Sequence, residues 1–398
     1  MDIKTTLLKI AEQEGLIDCS TDDLKDGDSH GYLGDINIVN INGKTKNGEK
    51  TQLSVLIKCA ATNEKLRENG IVGIYEREIR MYTSIFPAYY DFEKEKGIKI
   101  PFPLTPRCYG AFTNCNPEIL ILENLSTLGY QSWNKKLQMQ DSHVRVALKE
   151  YGRYHALGFV IQDQNPTLFK KLTDNFDNSF EIFMKRGGMF YSFIQKIQLA
   201  LNAIDSSSNV FRRYEEFLNG IEQKFTDVLA KDDKYNSILH GDSWCNNMMF
   251  KYNQENQPVD IRFIDFQLSR VGPPICDLAY FLYGCTSKEV LDNMNTYKAF
   301  YYENLSKHIK LLGSNPDSVY PPSAFEEQWK KYAKFGLMTS GLINFALLSE
   351  KHEVIDFNEV AAAGHNIGTA FDYEIANMKE FNIRMTRIIE NFVANDLL

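Results

Sequence analysis

The chain has 398 residues, 43% of them apolar and 13% aromatic, which suits two lobes better than one domain of roughly 150 residues. Its formal charge of -8 argues against nucleic acid as the main partner, because a phosphate backbone favours a basic surface, but leaves room for a nucleotide held by a few local cations. Seven scattered cysteines with no C-x-x-C pair argue against a disulfide framework or zinc site and favour a reducing, cytoplasmic setting.

The N-terminal MDIKTTLLKIAEQEGLI carries charges throughout, unlike a signal peptide, and sets Ile3, Leu7, Ile10 and Ala11 on one helical stripe that Gly15 can end. Gly27, Gly31 and Gly34 then precede the alternating Ile36, Ile38 and Ile41. Glycines ahead of a strand let backbone amides approach phosphates, which makes Ser29, His30 and Gly31 candidate cofactor contacts; an ordinary hairpin turn uses the same glycines. A polar turn, Asn42 to Glu49, leads to a second strand ending in Lys58-Cys59. A lysine at the end of a buried strand must meet an anion or reach solvent, so Lys58 is the candidate phosphate-contacting lysine.

Ile71, Ile74, Tyr75, Ile79, Tyr82, Ile85 and Phe86 predict a helix with Glu78 inside its apolar stripe. A core-side carboxylate wants a cation, and Lys58 can supply one, a pairing that positions a triphosphate. Glu78 at the stripe's edge, paired with Arg77 or solvent, is the plainer alternative. Strand-like runs at Cys108–Phe112 and Ile119–Leu122 end at Glu123-Asn124-Leu125, the predicted hinge, whose backbone would face an adenine ring. The chain is thereby divided into an N-lobe, 1–125, and a C-lobe, 126–398.

From Asp141 onward the patterns are mostly helical. His155 falls within an apolar stripe and reads as a satisfied core histidine. Phe176, Phe180, Phe183, Phe190, Tyr191 and Phe193 could pack a helix pair or wall a pocket for a bulky apolar molecule. The stretch from Leu239 to Phe266 carries the densest chemistry: Asp242 after His240-Gly241, Asn247 five residues on, and Asp265 at the end of an apolar run. This is the spacing of a phosphotransfer site, with one carboxylate for the acceptor hydroxyl and a carboxamide plus a second carboxylate for magnesium on the phosphates. Two strands around Met248–Phe250 and Ile261–Ile264, joined by a polar turn, would bring Asn247 and Asp265 to one edge. Orientation counts for more than basicity in such a transfer, so Asp242 needs no raised pKa. Asp277 follows Pro273-Pro274 and reads as a helix cap. The uncharged run Phe335 to Ser349 is shorter than the ~20 residues that span a bilayer, so it predicts a buried helix and no membrane association.

GDSHGYLGDI, SVLIKCA, YEREIRMY, ILILENL, YGRYHALGF, LHGDSWCNNMMF and RFIDFQLSRVGPPICDLAYFL, from about residue 27 to 284, together resemble the ecdysteroid kinase-like family, also called CHK kinase-like, within the aminoglycoside phosphotransferase and protein kinase-like superfamily. The resemblance implies an α+β, two-lobed protein kinase-like fold with a small β-rich N-lobe and a large, mostly helical C-lobe. It implies ATP-dependent phosphorylation of a small-molecule hydroxyl, with Asp242 catalytic, Asn247 and Asp265 on Mg2+, and Lys58 with Glu78 positioning phosphates. The expected acceptor is an ecdysteroid or a similar sterol-like or xenobiotic alcohol; a choline, ethanolamine or aminoglycoside acceptor, a protein kinase, and a catalytically inactive ligand-binding relative are the rivals. No protein partner is expected. Three departures from protein kinases stand out: Gly241 in place of the usual arginine, Gln267 in place of the usual glycine, and only eleven residues between Asp265 and Asp277, too few for a long activation segment.

Overall fold

The computed structural model describes residues 2–22, 29–31, 34–68, 72–113, 115–176 and 178–398, with the backbone alone at 29–31 and 179. Its first part is built on a long hairpin, β3 (Gly34–Lys44) with β4 (Lys50–Ala60), paired without slip from Gly34↔Ala60 to Lys44↔Lys50. On one side β1 (Ile17–Thr21) and β2 (Ser29–Gly31) pair with β3; on the other, β6 (Ile119–Glu123) and then β5 (Cys108–Phe112) extend the sheet from β4. All the pairings are antiparallel.

Side chains alternate between the faces of a strand. One face buries Val39, Ile41, Val55, Ile57, Ile119 and Ile121 under Leu7, Ile10 and Ala11 of the Ile3–Gln13 helix. Lys58, one position after Ile57, therefore points to the opposite face, where Leu120 and Leu122 join the main core. The Val72–Arg80 helix covers that face and runs on through a π turn, Met81–Ile85, into Phe86–Glu95. Ile71, the first residue of the predicted stripe, lies outside the described residues.

The chain leaves this sheet at Glu123 and enters a second one at β7 (Tyr130–Ser132), which pairs with β9 (Met248–Tyr252); β9 pairs in turn with β10 (Pro258–Phe263). A two-stranded ribbon, β8 (Ser237–Leu239) with β11 (Arg270–Gly272), lies beside it. Helices surround both. Asp141–Gln164 packs along Met294–Leu311, and Ile275–Cys285 along Lys334–Leu348. The last two are buried at every position from Ile275 to Cys285 and from Phe335 to Leu348, as expected of helices apolar all round. Among the described residues no helix is long and apolar enough to cross a membrane.

Candidate active site

Lys58 Nζ lies 2.6 Å from Glu78 Oε2 and 2.9 Å from Asp265 Oδ1, so one ammonium joins the sheet, the covering helix and the segment after β10. Burial pulls its pKa down, but the charges of Asp265 and Glu78 outweigh that and push it up, so Lys58 stays a cation. Glu78 is 1% exposed and also takes a hydrogen bond from Gln267. Gln267 thus braces the carboxylate that braces Lys58.

The turn after β8 is held from behind. His240 N–H and Gly241 N–H donate to the two oxygens of Asp277, at 2.7 and 2.9 Å, and His155 Nε2 lies 3.1 Å from the same carboxylate. His155 Nδ1 meets Tyr301 Oη at 2.9 Å, so both its ring nitrogens are satisfied in the core. Burial pushes the Asp277 carboxyl up, but its hydrogen bonds from His155 and the backbone, with the nearby imidazoles, outweigh that and bring it down to about 2. Asp277 is therefore not the expected helix cap: Pro274 holds the cap position with no side-chain cap bond, and Asp277, in the first turn, anchors the backbone of His240 and Gly241. Gly241 has φ of 85°, and a Cβ there would collide with the Leu268 carbonyl, which is why no side chain occupies the position.

Asp242 accepts a 2.8 Å hydrogen bond from Tyr280 Oη on one oxygen and a 2.9 Å bond from Asn247 Nδ2 on the other. Burial, then the charge of Asp265, push its carboxyl up to about 7. The transfer does not require this shift, and the sequence does not show it: 22 residues lie between Asp242 and Asp265, and only folding brings the two charges together in a dry site. β9 and β10 pair Met248 with Phe263, and Ile264 N–H donates to the Asn247 carbonyl at 3.1 Å, which carries Asn247 and Asp265 to the same edge. Asp265 sits at φ of 64°, a left-handed conformation that few side-chain-bearing residues adopt and that clusters at functional sites.

The donor set suits a hard divalent cation. Asn247 spends its amide nitrogen on Asp242, leaving its carboxamide oxygen to face a cation, and Asp265 keeps one carboxylate oxygen beyond the one on Lys58. Mg2+ takes one or two protein oxygens and completes its shell with phosphate and water, and Asn247 with Asp265 could supply two.

A cavity of about 220 Å3 opens from these groups. Lys58, Asp242, Asn247, Asp265, Gln267 and Tyr280 line it, together with Phe180, Phe183, Met184, Met189 and Phe193 from the Ser179–Arg186 and Met189–Leu199 helices, and with Leu342, Ile343 and Phe371 from later in the chain. The aromatic run around Phe180 thus both packs the core and walls this space. The strand that carries Ser29, His30 and Gly31 runs beside the cavity, since two of its partners, Gly34 and Ile36, are in the lining. Ser29, His30 and Gly31 form β2, paired with Ile36, Asp35 and Gly34; Gly27 lies outside the described residues. Glu123, Asn124 and Leu125 are not among the lining residues of the cavity. Asn124 bonds Ser54 through its side chain at 3.0 Å and caps the turn at Ser126, and Glu123 accepts from Arg107 N–H.

Read from the sequence, Asp277 is only a helix cap and Gln267 only a departure from protein kinases, and Tyr280 is assigned no part in the site. Each sits in an apolar or turn-like context, and the signal that could have found them was their place inside the continuous stretch RFIDFQLSRVGPPICDLAYFL.

The chain matches the ecdysteroid kinase-like family over residues 28–314. It belongs to that family. The fold is accordingly the two-lobed protein kinase-like one, and membership of a kinase-like family supports a small-molecule kinase. Among solved structures the chain is similar to a choline/ethanolamine kinase family protein from Mesorhizobium loti, at 11% identity and a TM-score of 0.33, covering 98% of this chain and 100% of that one. It is also similar to a glucosamine kinase, at 9% identity and 0.33, covering 99% and 81%, and to a glucosamine kinase in complex with glucosamine, ADP and inorganic phosphate, at 9% and 0.31, covering 96% and 94%. Likenesses this loose carry no argument about the site. No curated protein matches.

Proposed function

We propose that this protein is an ATP-dependent kinase acting on the hydroxyl of a bulky apolar alcohol, an ecdysteroid or a similar sterol-like or xenobiotic molecule. The observation that carries this reading is the composition of the cavity beside Asp242. Among the described residues its charged lining consists of Lys58, Asp242 and Asp265, the set assigned to phosphate and hydroxyl, and the rest of its wall is largely aromatic and aliphatic. A quaternary amine calls for a carboxylate among the aromatics, and an aminoglycoside for several; among the described residues the wall adds no carboxylate to Asp242 and Asp265, whereas apolar burial favours a ring system at roughly 25 cal/mol per Å2.

In this reading Lys58, directed by Glu78 and Gln267, holds the phosphates of ATP. When bound, magnesium on Asn247 and Asp265 offsets charge on the phosphate oxygens. Asp242 accepts a hydrogen bond from the acceptor hydroxyl and orients its oxygen in line with the γ-phosphorus. A new O–P bond forms as the bond to the ADP oxygen breaks, and the hydroxyl proton passes to Asp242. Tyr280 and Asn247 fix the direction of that carboxylate. The apolar wall beside the acceptor keeps water from competing.

ADP release measured with a panel of ecdysteroid, aliphatic and aromatic alcohols, choline, ethanolamine and an aminoglycoside, with mass spectrometry of the acceptor, tests the proposal. Phosphorylation of the apolar alcohols is expected. Turnover confined to choline, ethanolamine or the aminoglycoside, or absent from the whole panel, would overturn it.

A further inference from the structure

Arg270 is left unexplained by the catalytic arrangement. It opens β11, is 1% exposed, and among the described residues Nε, Nη1 and Nη2 meet no oxygen or nitrogen acceptor. Among the described residues no carboxylate forms an ion pair with it. Its charge and a side-chain hydrogen bond both act on the thiol of Cys276, but a thiol is a weak acceptor and does not neutralise the cation. The rings of Phe180 and Phe335 lie 5.9 and 5.3 Å from the guanidinium carbon. Such contacts offset only part of the cost of taking the ion out of water. Arginine cannot escape by losing its proton, so the fold carries a cation in need of an anion.

A second cavity, about 180 Å3 in volume, lies against Arg270. Asn178, Glu181 and Lys231 contribute to its lining alongside apolar residues. Glu181 is held by Lys185 at 2.6 Å, which offsets its negative charge. The Asn178 amide donates to the Leu229 carbonyl at 3.0 Å, and its oxygen accepts from Glu181 N–H, so Asn178 shapes the wall. Lys231 is exposed and adds a second positive charge. This space shares no lining residue with the cavity beside Asp242.

We propose that Arg270 and Lys231 form a binding site for a small oxyanion of the phosphate or sulfate type, separate from the nucleotide site. Its consequence follows from the strand pairing: Arg270 is registered with Leu239, the residue before His240-Gly241-Asp242. An anion clamped on Arg270 steadies the ribbon from which the Asp242 turn projects, and by mass action it stabilises the folded state.

The test is sulfate titration of the full chain by calorimetry and thermal denaturation. Low millimolar sulfate is compared with chloride at matched ionic strength, below the range of general salting-out stabilisation. Sulfate is expected to bind, and to raise the melting temperature, of the wild type and of Lys58→Met alike, which separates this site from the nucleotide site. Arg270→Met is expected to lose the response while being at least as stable as the wild type without sulfate, since an unpaired buried charge has been replaced by an apolar chain. If Arg270→Met does not fold, Lys231→Glu serves instead, with several-fold weaker sulfate binding expected. A sulfate response that survives Arg270→Met, disappears in Lys58→Met, is absent from the wild type, or is unchanged in Lys231→Glu would overturn the proposal.

Discussion

Tyr280 Oη donates a 2.8 Å hydrogen bond to Asp242 Oδ1, so the residue assigned to the acceptor hydroxyl is aimed by a side chain from the Ile275–Cys285 helix, the same helix whose Asp277 anchors the backbone of the turn. Tyr280→Phe removes this bond with little change of volume. A hydrogen bond to a charged group contributes about 1.5 to 3 kcal/mol, and the expected outcome is a loss of kcat of roughly tenfold or more with the affinity for MgATP unchanged. Parallel losses of kcat and nucleotide affinity would show that Tyr280 holds the fold and not the aim of Asp242.

Asp242→Asn keeps the shape and most of the hydrogen bonding but cannot take the proton. Turnover is expected to fall by about a hundredfold or more, the scale of positioned acid–base catalysis, while nucleotide binding by calorimetry stays near the wild-type value. Near-normal turnover would remove Asp242 from this role.

Asp265→Ala takes away a carboxylate that serves Lys58 at 2.9 Å and, in the proposed reading, the magnesium ion. Magnesium-dependent binding of ATP is expected to be lost in titration calorimetry. Unchanged MgATP affinity would show the metal assignment to be mistaken.

Asp277 supplies a pH dependence with a definite sign. Its folded pKa is depressed from 3.8 to about 2, so its contribution to stability is fully present above the unfolded value and is lost as pH falls through the folded one. A shift of that size corresponds to about 2 kcal/mol. Asp277→Asn should lower the urea midpoint near pH 6, and the gap from the wild type should narrow as pH falls from about 4 to about 2. A gap that stays constant across that range would mean that Asp277 stabilises by packing and not as an anion.

The elements that could be read along the chain were those with a long repeat. β3, β4 and the Val72–Arg80 helix follow from periods of 2 and 3.6, and the β9–β10 hairpin from two apolar runs around a polar turn. β7, β8 and β11 are three residues each, too short for alternation to register, yet two of them carry Leu239 and Arg270. Glu78 was legible because a carboxylate inside an apolar stripe contradicts its surroundings. Tyr280 was not, because a tyrosine in the run LAYFL looks the same whether its hydroxyl meets solvent or Asp242.

The sequence alone determined the family, the two kinds of lobe and the identity of the polar residues from Lys58 to Asp265, because these rest on local patterns and on a contiguous motif. Tertiary structure decided which of them meet, how far Asp242 is shifted, and that the helices around Phe180 wall a cavity open to it. The reason is physical: burial and charge proximity depend on distances through space, and apolar periodicity is identical for a side chain that fills a core and one that faces a pocket.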